Sequence, residues 1–178
     1  MEIIVREFLP EDIEALTELY NHYILETAIT FDLYPYMPDQ RQLNWMSHYT
    51  HSGRHRLFVA QCTGEAAEAK NQVVGYASSS QFHSKAAYET SVETSIYLNS
   101  NFAGNGVGSQ LYEALFSALS KEDVHRAYAG ITLPNETSMA IHRKFGFEQA
   151  ALYKEVGRKF GRYWDVMWLE KAFKEINL

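Results

Sequence analysis

Apolar and polar positions along this chain change period several times, and each change marks an element. Residues 2–8 alternate and predict a short first strand. After Pro10 the apolar positions recur at Ile13, Leu16, Leu19 or Tyr20, and Tyr23 or Ile24, the spacing of one helical face. Proline suits the start of that helix, where its missing N–H would have had no partner. Residues 27–38 lose both periods and gather Phe31, Tyr34, Pro35, Tyr36 and Pro38, which predicts an aromatic, turn-rich loop. Asp39 is placed to cap a second helix through Leu43, Trp45 and Met46. Residues 57–62 read as a buried strand and 63–72 as a polar hairpin excursion. Residues 73–81 and 92–98 return as strands.

In the second half, Leu111, Leu115, Ala118 and Leu119 mark one helical face, and 126–133 reads as a strand. Asn135 caps a short helix that stops at Gly146. Residues 149–156 and 163–170 predict a closing hairpin. No internal repeat or domain linker interrupts this order. Antiparallel strands come first, then a strand–helix–strand–helix unit, then strands again. That order predicts a single domain over residues 1–178, of the α/β class in its α+β form, and not a doubly wound parallel sheet.

Composition narrows the function classes. The chain has 178 residues, enough for one domain with a core, and its 46% apolar and 14% aromatic content is too high for disorder. No apolar run approaches the roughly 18 residues needed to span a bilayer, so no membrane partner is expected. The opening Met1-Glu2-Ile3-Ile4-Val5-Arg6 lacks a basic region and an apolar signal core, so no secretion signal is predicted. Cys62, the single cysteine, reads as a small core residue, and a cytoplasmic location is expected. The formal net charge of −6 argues against nucleic-acid partners. It also requires an anionic ligand to be held by local donors.

One stretch concentrates the chemistry. Val92-Glu93-Thr94-Ser95-Ile96-Tyr97-Leu98 alternates as a strand, and Gly104-Asn105-Gly106-Val107-Gly108-Ser109 then runs into a helical pattern. Strand, bare turn, helix N-terminus is a way to hold a pyrophosphate on backbone N–H groups. Glu93 stands a few residues before that turn, a possible general base beside a phosphorylated carrier, which points to group transfer. A dinucleotide fingerprint needs glycine where Ser109 stands and an acidic residue about 20 positions on, which Ala127-Tyr128-Ala129-Gly130 does not supply. The Gly-Lys-Ser/Thr ending of a nucleotide-triphosphatase loop is absent. His48, His51 and His55 have ligand-like spacing, but Gly53 interrupts a helix there, and no metal site is expected.

Residues 92–147 resemble the GNAT family of N-acetyltransferases. In that family a Gln/Arg-x-x-Gly-x-Gly/Ala turn holds the pyrophosphate of acetyl-coenzyme A. Ala103-Gly104-Asn105-Gly106-Val107-Gly108 matches at the two glycines and departs at Ala103, which lacks the usual side-chain contact. The chain is similar over nearly its whole length to the phosphinothricin and methionine sulfone/sulfoximine acetyltransferase subgroup. Asn21-His22-Tyr23-Ile24, Thr30-Phe31, Val92-Glu93-x-Ser95-Ile96-Tyr97, Leu133-Pro134-Asn135, His142-x-x-x-Gly146-Phe147 and Phe160-Gly161-x-x-x-Asp165-Val166 match it in order.

The resemblance implies a GNAT fold: a central, mostly antiparallel mixed sheet, splayed and flanked by helices. It implies acetyl-coenzyme A as co-substrate, a small-molecule amine as acceptor, and a homodimer. Glu93 is the expected general base, with a pKa raised by apolar neighbours. The acyl carbonyl is expected to meet backbone N–H groups of Ile96, Tyr97 or Leu98. The coenzyme is expected on Gly104, Asn105, Gly106, Val107, Gly108 and Ser109, with Lys144 (beside Arg143) near its outer phosphates. Asn135, Ser138 and His142 share one helical face. By resemblance Asn135 bonds the pantetheine arm, and His142, standing where many relatives carry a tyrosine acid, is expected to be catalytic, protonating the leaving thiolate or helping to relay the amine proton. Phe31, Thr94, His83 and Lys85 are expected at the acceptor site. His83 and Lys85 replace the subgroup's usual arginines and give up bidentate carboxylate binding. Two other readings stay open: acetylation of a protein N-terminus, and a non-catalytic acyl-coenzyme A sensor.

Overall fold

The computed structural model describes residues 2–63 and 72–173. The polar excursion expected at 63–72 lies almost wholly outside them. Among the described residues, seven strands form one sheet: β1 (Glu2–Glu7), β2 (Leu57–Thr63), β3 (Gln72–Gln81), β4 (Ser91–Leu98), β5 (Arg126–Thr132), β6 (Glu148–Lys159) and β7 (Arg162–Ala172). Four α-helices among the same residues accompany it: α1 (Ile13–Glu26), α2 (Pro38–Asn44), α3 (Val107–Leu119) and α4 (Glu136–Lys144). The strand order is β1-β2-β3-β4-β5-β7-β6. Only β4 and β5 are parallel, and every other neighbouring pair is antiparallel. The mixed, mostly antiparallel sheet that the resemblance implies is therefore what forms.

Each face of the sheet carries its own apolar cluster. On one face α3 buries Leu111, Tyr112, Leu115 and Leu119 against Val74, Val92, Ala127 and Ala129. On the other, α1 and the segment after α2 bring Leu16, Met46 and Tyr49 onto Leu57, Val59 and Tyr76. A fully buried leucine contributes about 1.5–3 kcal/mol, so these two faces fix where the helices sit.

The central pairing is short. β4 and β5 share only Ser91↔Arg126, Val92↔Ala127 and Glu93↔Tyr128. Beyond Glu93 the two strands part, while β4 stays paired to β3 as far as Leu98 and β5 to β7 as far as Thr132. The Thr94 hydroxyl donates to the Tyr128 carbonyl at 3.3 Å, occupying a ladder acceptor where the ladder stops. The result is a groove in the middle of the sheet.

Two boundaries differ from expectation. α2 begins at Pro38, with Met37 as its N-cap, so Asp39 lies inside the first turn and caps nothing. The helix ends at Asn44 because Trp45 leaves helical geometry (φ −136°), and Met46–His48 follow as a single 3₁₀ turn. β6 is also longer than expected. Its register shifts between Tyr153 and Gly157, where Glu155 adopts φ +51° and its N–H donates to Asp165 Oδ1 at 2.8 Å. That bulge breaks the alternation on which the shorter reading rested.

Candidate active site

The glycine turn stands where β4 hands over to α3. Gly104 (φ +79°) and Gly106 (φ +77°) adopt left-handed backbone that side chains resist. Among the described residues nothing lies within 4 Å of where a Cβ would stand at either position. The first N–H groups of α3, from Val107, Gly108 and Ser109, have no carbonyl one turn earlier, and the helix dipole is positive there. Lys144 of α4 reaches this end, its Nζ donating to Ser109 Oγ at 2.7 Å. These groups, with Asn105 between the two open glycines, form a cradle that fits a diphosphate. Gly108 serves a different need from the one expected of its missing side chain. A Cβ there would stand 2.8 Å from Ile141 Cδ1 and 3.3 Å from Leu98 Cδ1, so this glycine lets α3 dock on α4 and β4.

The groove between β4 and β5 is lined by Thr94, Ser95, Ile96 and Tyr97 on one side and by Ala129 to Thr132 on the other. Asn135, Ser138 and His142 of the α4 segment close its end. The Asn99 N–H bonds the Val74 carbonyl at 2.8 Å, which sets the antiparallel alternation. Tyr97 and Ser95 therefore turn their N–H groups to β3, while Thr94, Ile96 and Leu98 turn theirs toward the groove. The Leu98 backbone is already engaged, since the Tyr23 hydroxyl donates to its carbonyl at 2.6 Å and lies 3.4 Å from its nitrogen. Of the three amides expected to serve a carbonyl, Ile96 is the one left to do so. Tyr97 is spent on the β3 ladder and Leu98 on Tyr23.

On the α1/α2 side of the same strand lies a cavity of about 650 Å³. Tyr20, Tyr36, Trp45, Tyr49, Tyr76 and Tyr97 line it, together with Asp32, Arg41, Ser78, Ser80 and Ser95. Ser95 and Tyr97 line both cavity and groove, so the two spaces meet along β4. Asn21 explains its place in the sequence here. Its side chain brackets Tyr36, donating to the carbonyl at 2.8 Å and accepting from the N–H at 2.9 Å, which fixes the aromatic loop over the cavity.

Glu93 pairs with Ser80 in register and shares the face that carries Ser95 and Tyr97 toward the cavity. Burial raises its carboxyl above the usual carboxylate range. Its charge is felt at the Tyr49 phenol, which burial pushes up to about 12. Thr94, expected beside it at the acceptor site, points to the opposite face by strand alternation. Its hydroxyl is held on the Tyr128 carbonyl and neighbours the Tyr112 phenol.

His142 is 3% exposed, and both ring nitrogens are engaged. Nδ1 lies 2.7 Å from the Ser138 carbonyl, an acceptor only, so Nδ1 carries the proton. Nε2 then accepts from the Tyr112 hydroxyl at 2.8 Å. Burial lowers the pKa, so the ring is neutral at pH 7. Held in this way, the imidazole has both nitrogens engaged and presents no free proton to the groove. Asn135 does line the groove, but its Oδ1 caps α4 by accepting the Ser138 N–H at 3.1 Å.

Three of the expected acceptor-site residues lie elsewhere. His83 and Lys85 are exposed on the β3–β4 connection, with His83 against Tyr88 at 4.7 Å between ring centroids, and neither lines the cavity. The connection turns outward through a 3₁₀ turn at Ala86–Tyr88. Phe31 lays its ring on Gly157 of β6, where a Cβ would collide with Phe31 Cε2, so it anchors the loop and does not line the cavity. Among the clustered histidines, His51 pairs with Glu7 at 2.8 Å, while His48 and His55 line the cavity.

Residues 5–168 match the acetyltransferase (GNAT) domain. The chain belongs to the GNAT acetyltransferase family. This GNAT acetyltransferase is 50% identical over 171 residues to a phosphinothricin N-acetyltransferase of Streptomyces coelicolor, covering 96% of each chain. It is 29% identical over 178 residues to an L-methionine sulfoximine/L-methionine sulfone acetyltransferase of Pseudomonas paraeruginosa, covering 100% of this chain and 96% of that one. A crystal structure of a GNAT superfamily phosphinothricin acetyltransferase from Sinorhizobium meliloti, in complex with AcCoA, superposes with a TM-score of 0.85 at 27% identity. That match covers 97% of this chain and 89% of the other.

Sequence reasoning missed three residues of this acetyltransferase. Tyr112 fits the apolar stripe of α3, and nothing in that pattern marks its hydroxyl as a partner for His142. Arg41 sits in a polar run, Pro38-Asp39-Gln40-Arg41-Gln42, that reads as solvated surface. Its spacing of four from Trp45 was the available signal. Tyr20 was read only as one choice for a helical face, yet its hydroxyl bonds Asp32 at 2.8 Å at the cavity.

Proposed function

We propose that this acetyltransferase moves the acetyl group of acetyl-coenzyme A onto the primary amine of a small amino-acid-like acceptor. The class is the one for which its relatives are named, phosphinothricin and methionine sulfone. The observation that carries the reading is the meeting of groove and cavity at Ser95 and Tyr97, with Glu93 on the same strand. The open glycine cradle and Lys144 hold the diphosphate, and Asn135 faces the pantetheine arm. The walled cavity suits a small acceptor better than a polypeptide N-terminus.

The acceptor amine attacks the thioester carbon directly. A C–N bond forms and the C–S bond breaks. Glu93 takes the amine proton, directly or through one water, and the released thiolate takes up a proton. The Ile96 N–H faces the developing oxyanion, a contribution of roughly 3 kcal/mol. His142 acts as a positioning residue that holds Tyr112 and the first turn of α4 beside the groove. Leu152, Tyr153, Val156, Phe160 and Tyr163 are exposed along β6 and its turn, an apolar edge that supports self-association as a homodimer. Light scattering that returned only monomer would remove that part.

The test is coenzyme A release from acetyl-coenzyme A with a panel of amino acids and peptides. Release with phosphinothricin or methionine sulfone is the expected result. Glu93→Gln is expected to cut that turnover by about 10²–10⁴-fold at neutral pH without weakening coenzyme binding. Binding with no release for any amine would mean a sensor, and release with peptide N-termini alone would mean a protein acetyltransferase.

A further inference from the structure

The cavity beside β4 contains a cation with no ion-pair partner among the described residues. Arg41 of α2 is 3% exposed, and its guanidinium lies 4.0 Å from the ring centroids of both Tyr20 and Trp45. Nη2 has the Tyr76 hydroxyl at 3.0 Å. Nε and Nη1 are buried and have no acceptor among the described residues. None of the ion pairs among the described residues includes Arg41. Asp32 lines the same cavity, but its Oδ2 is taken by the hydroxyls of Tyr20 at 2.8 Å and Tyr36 at 3.2 Å. A charge removed from water without an anion is costly, and contact with two aromatic faces offsets only part of that cost.

The rest of the cavity sharpens the point. Arg41 is the one permanent cation among the described residues that line it. His55 is kept neutral at pH 7 by burial and by the neighbouring Arg54. His83 and Lys85, expected at the acceptor site in place of the subgroup's arginines, do not line the space. The cavity extends from Arg41 on α2 to Ser95 and Tyr97 on β4. An acceptor with an acid group at one end and an amine at the other would therefore span it.

We propose that Arg41 is the receptor for the acceptor's oxyanion, a carboxylate or phosphinate, and so selects acidic amines over neutral ones. This rests on the acetyl-transfer reading above and adds the residue that sets acceptor preference. The Tyr20 and Trp45 rings hold the guanidinium plane in place before the acceptor arrives, which lowers the ordering cost of binding.

The experiment compares L-methionine sulfone, its primary carboxamide, L-phosphinothricin and that compound's carboxamide, in the parent enzyme and in Arg41→Met and Arg41→Lys. The parent is expected to favour methionine sulfone over its amide by roughly 10- to 100-fold in kcat/KM, the size of lost charge-assisted hydrogen bonds. Where Arg41 takes the carboxylate, Arg41→Met should erase that ratio, mainly by raising the KM for the acid. Arg41→Lys should keep part of it. If Arg41 takes the phosphinate, phosphinothricin carboxamide will remain sensitive to Arg41→Met, and if it takes the carboxylate, it will not. Unchanged acetyl-coenzyme A affinity by calorimetry certifies that a variant is folded, and the parent's own acid-to-amide ratio needs no variant. An Arg41→Met enzyme that keeps the parent's kcat/KM for methionine sulfone and for phosphinothricin carboxamide alike overturns the assignment and leaves acetyl transfer standing. A parent that acetylates none of the four overturns the substrate class and the assignment together.

Discussion

Removing one oxygen atom tests how the end of the groove is held together. In Tyr112→Phe the ring stays, but His142 Nε2 loses its donor. The proton on the imidazole cannot move to compensate, because Nδ1 needs it for the Ser138 carbonyl at 2.7 Å. The variant therefore buries a bare acceptor, at a cost of about 1–3 kcal/mol. At roughly 2.1 cal/mol/K per residue, a chain of 178 residues unfolds with an entropy of about 0.37 kcal/mol/K, so the melting temperature should fall by about 3–8 °C. Scanning calorimetry at pH 7.5 reads this directly. Tyr112→Phe combined with His142→Leu removes both partners, and the pair should cost less than the sum of the single changes. A drop below about 1 °C in the single variant, or strict additivity in the double, would refute the description of His142 as a neutral ring held on both sides.

The two kinds of glycine should separate. Gly106→Ala places a side chain at φ +77°, costs about 1–2 kcal/mol of backbone strain, and should raise the KM for acetyl-coenzyme A. Gly108→Ala pushes a methyl toward Ile141 and should instead lower the melting temperature through overpacking of about 1–3 kcal/mol, leaving the KM smaller in its change. Glu93→Gln carries a pH signature as well as a rate. The folded state holds the Glu93 proton to higher pH than the unfolded chain does, so it binds more protons between the ordinary carboxylate pKa and the raised one. Stability from this group is thus lost as pH rises through that window. Glu93→Gln should melt higher than the parent at pH 7 and converge with it below about pH 4; a lower melting point at pH 7 would contradict the burial argument.

Much of this was legible in the chain because local periods coincide with tertiary demand. The strand at 92–98, the glycine turn and the helix after it are one continuous signal, and each lies where alternation and helical spacing place it. Thr94 could have been removed from the acceptor site by the same rule, since strand neighbours face opposite ways. Other features depend on geometry that no local pattern carries. Which amide of Ile96, Tyr97 and Leu98 stays free depends on the register with β3 and on a tyrosine 75 positions away. His83 and Lys85 sit next to the chemistry in sequence, but a 3₁₀ turn carries them outward. Arg41 sits in a polar helix and is drawn inside by Trp45 one turn later, a burial that composition alone argues against.

The parting of β4 from β5 has a kinetic consequence. With the coenzyme in the groove and the acceptor in the cavity, as proposed above, the two reach the same strand from separate sides, so neither occupies the other's path, and both can be resident at once. Steady-state lines at varied concentrations of each should then intersect and not run parallel, and the spent coenzyme need not leave before the acetylated product does.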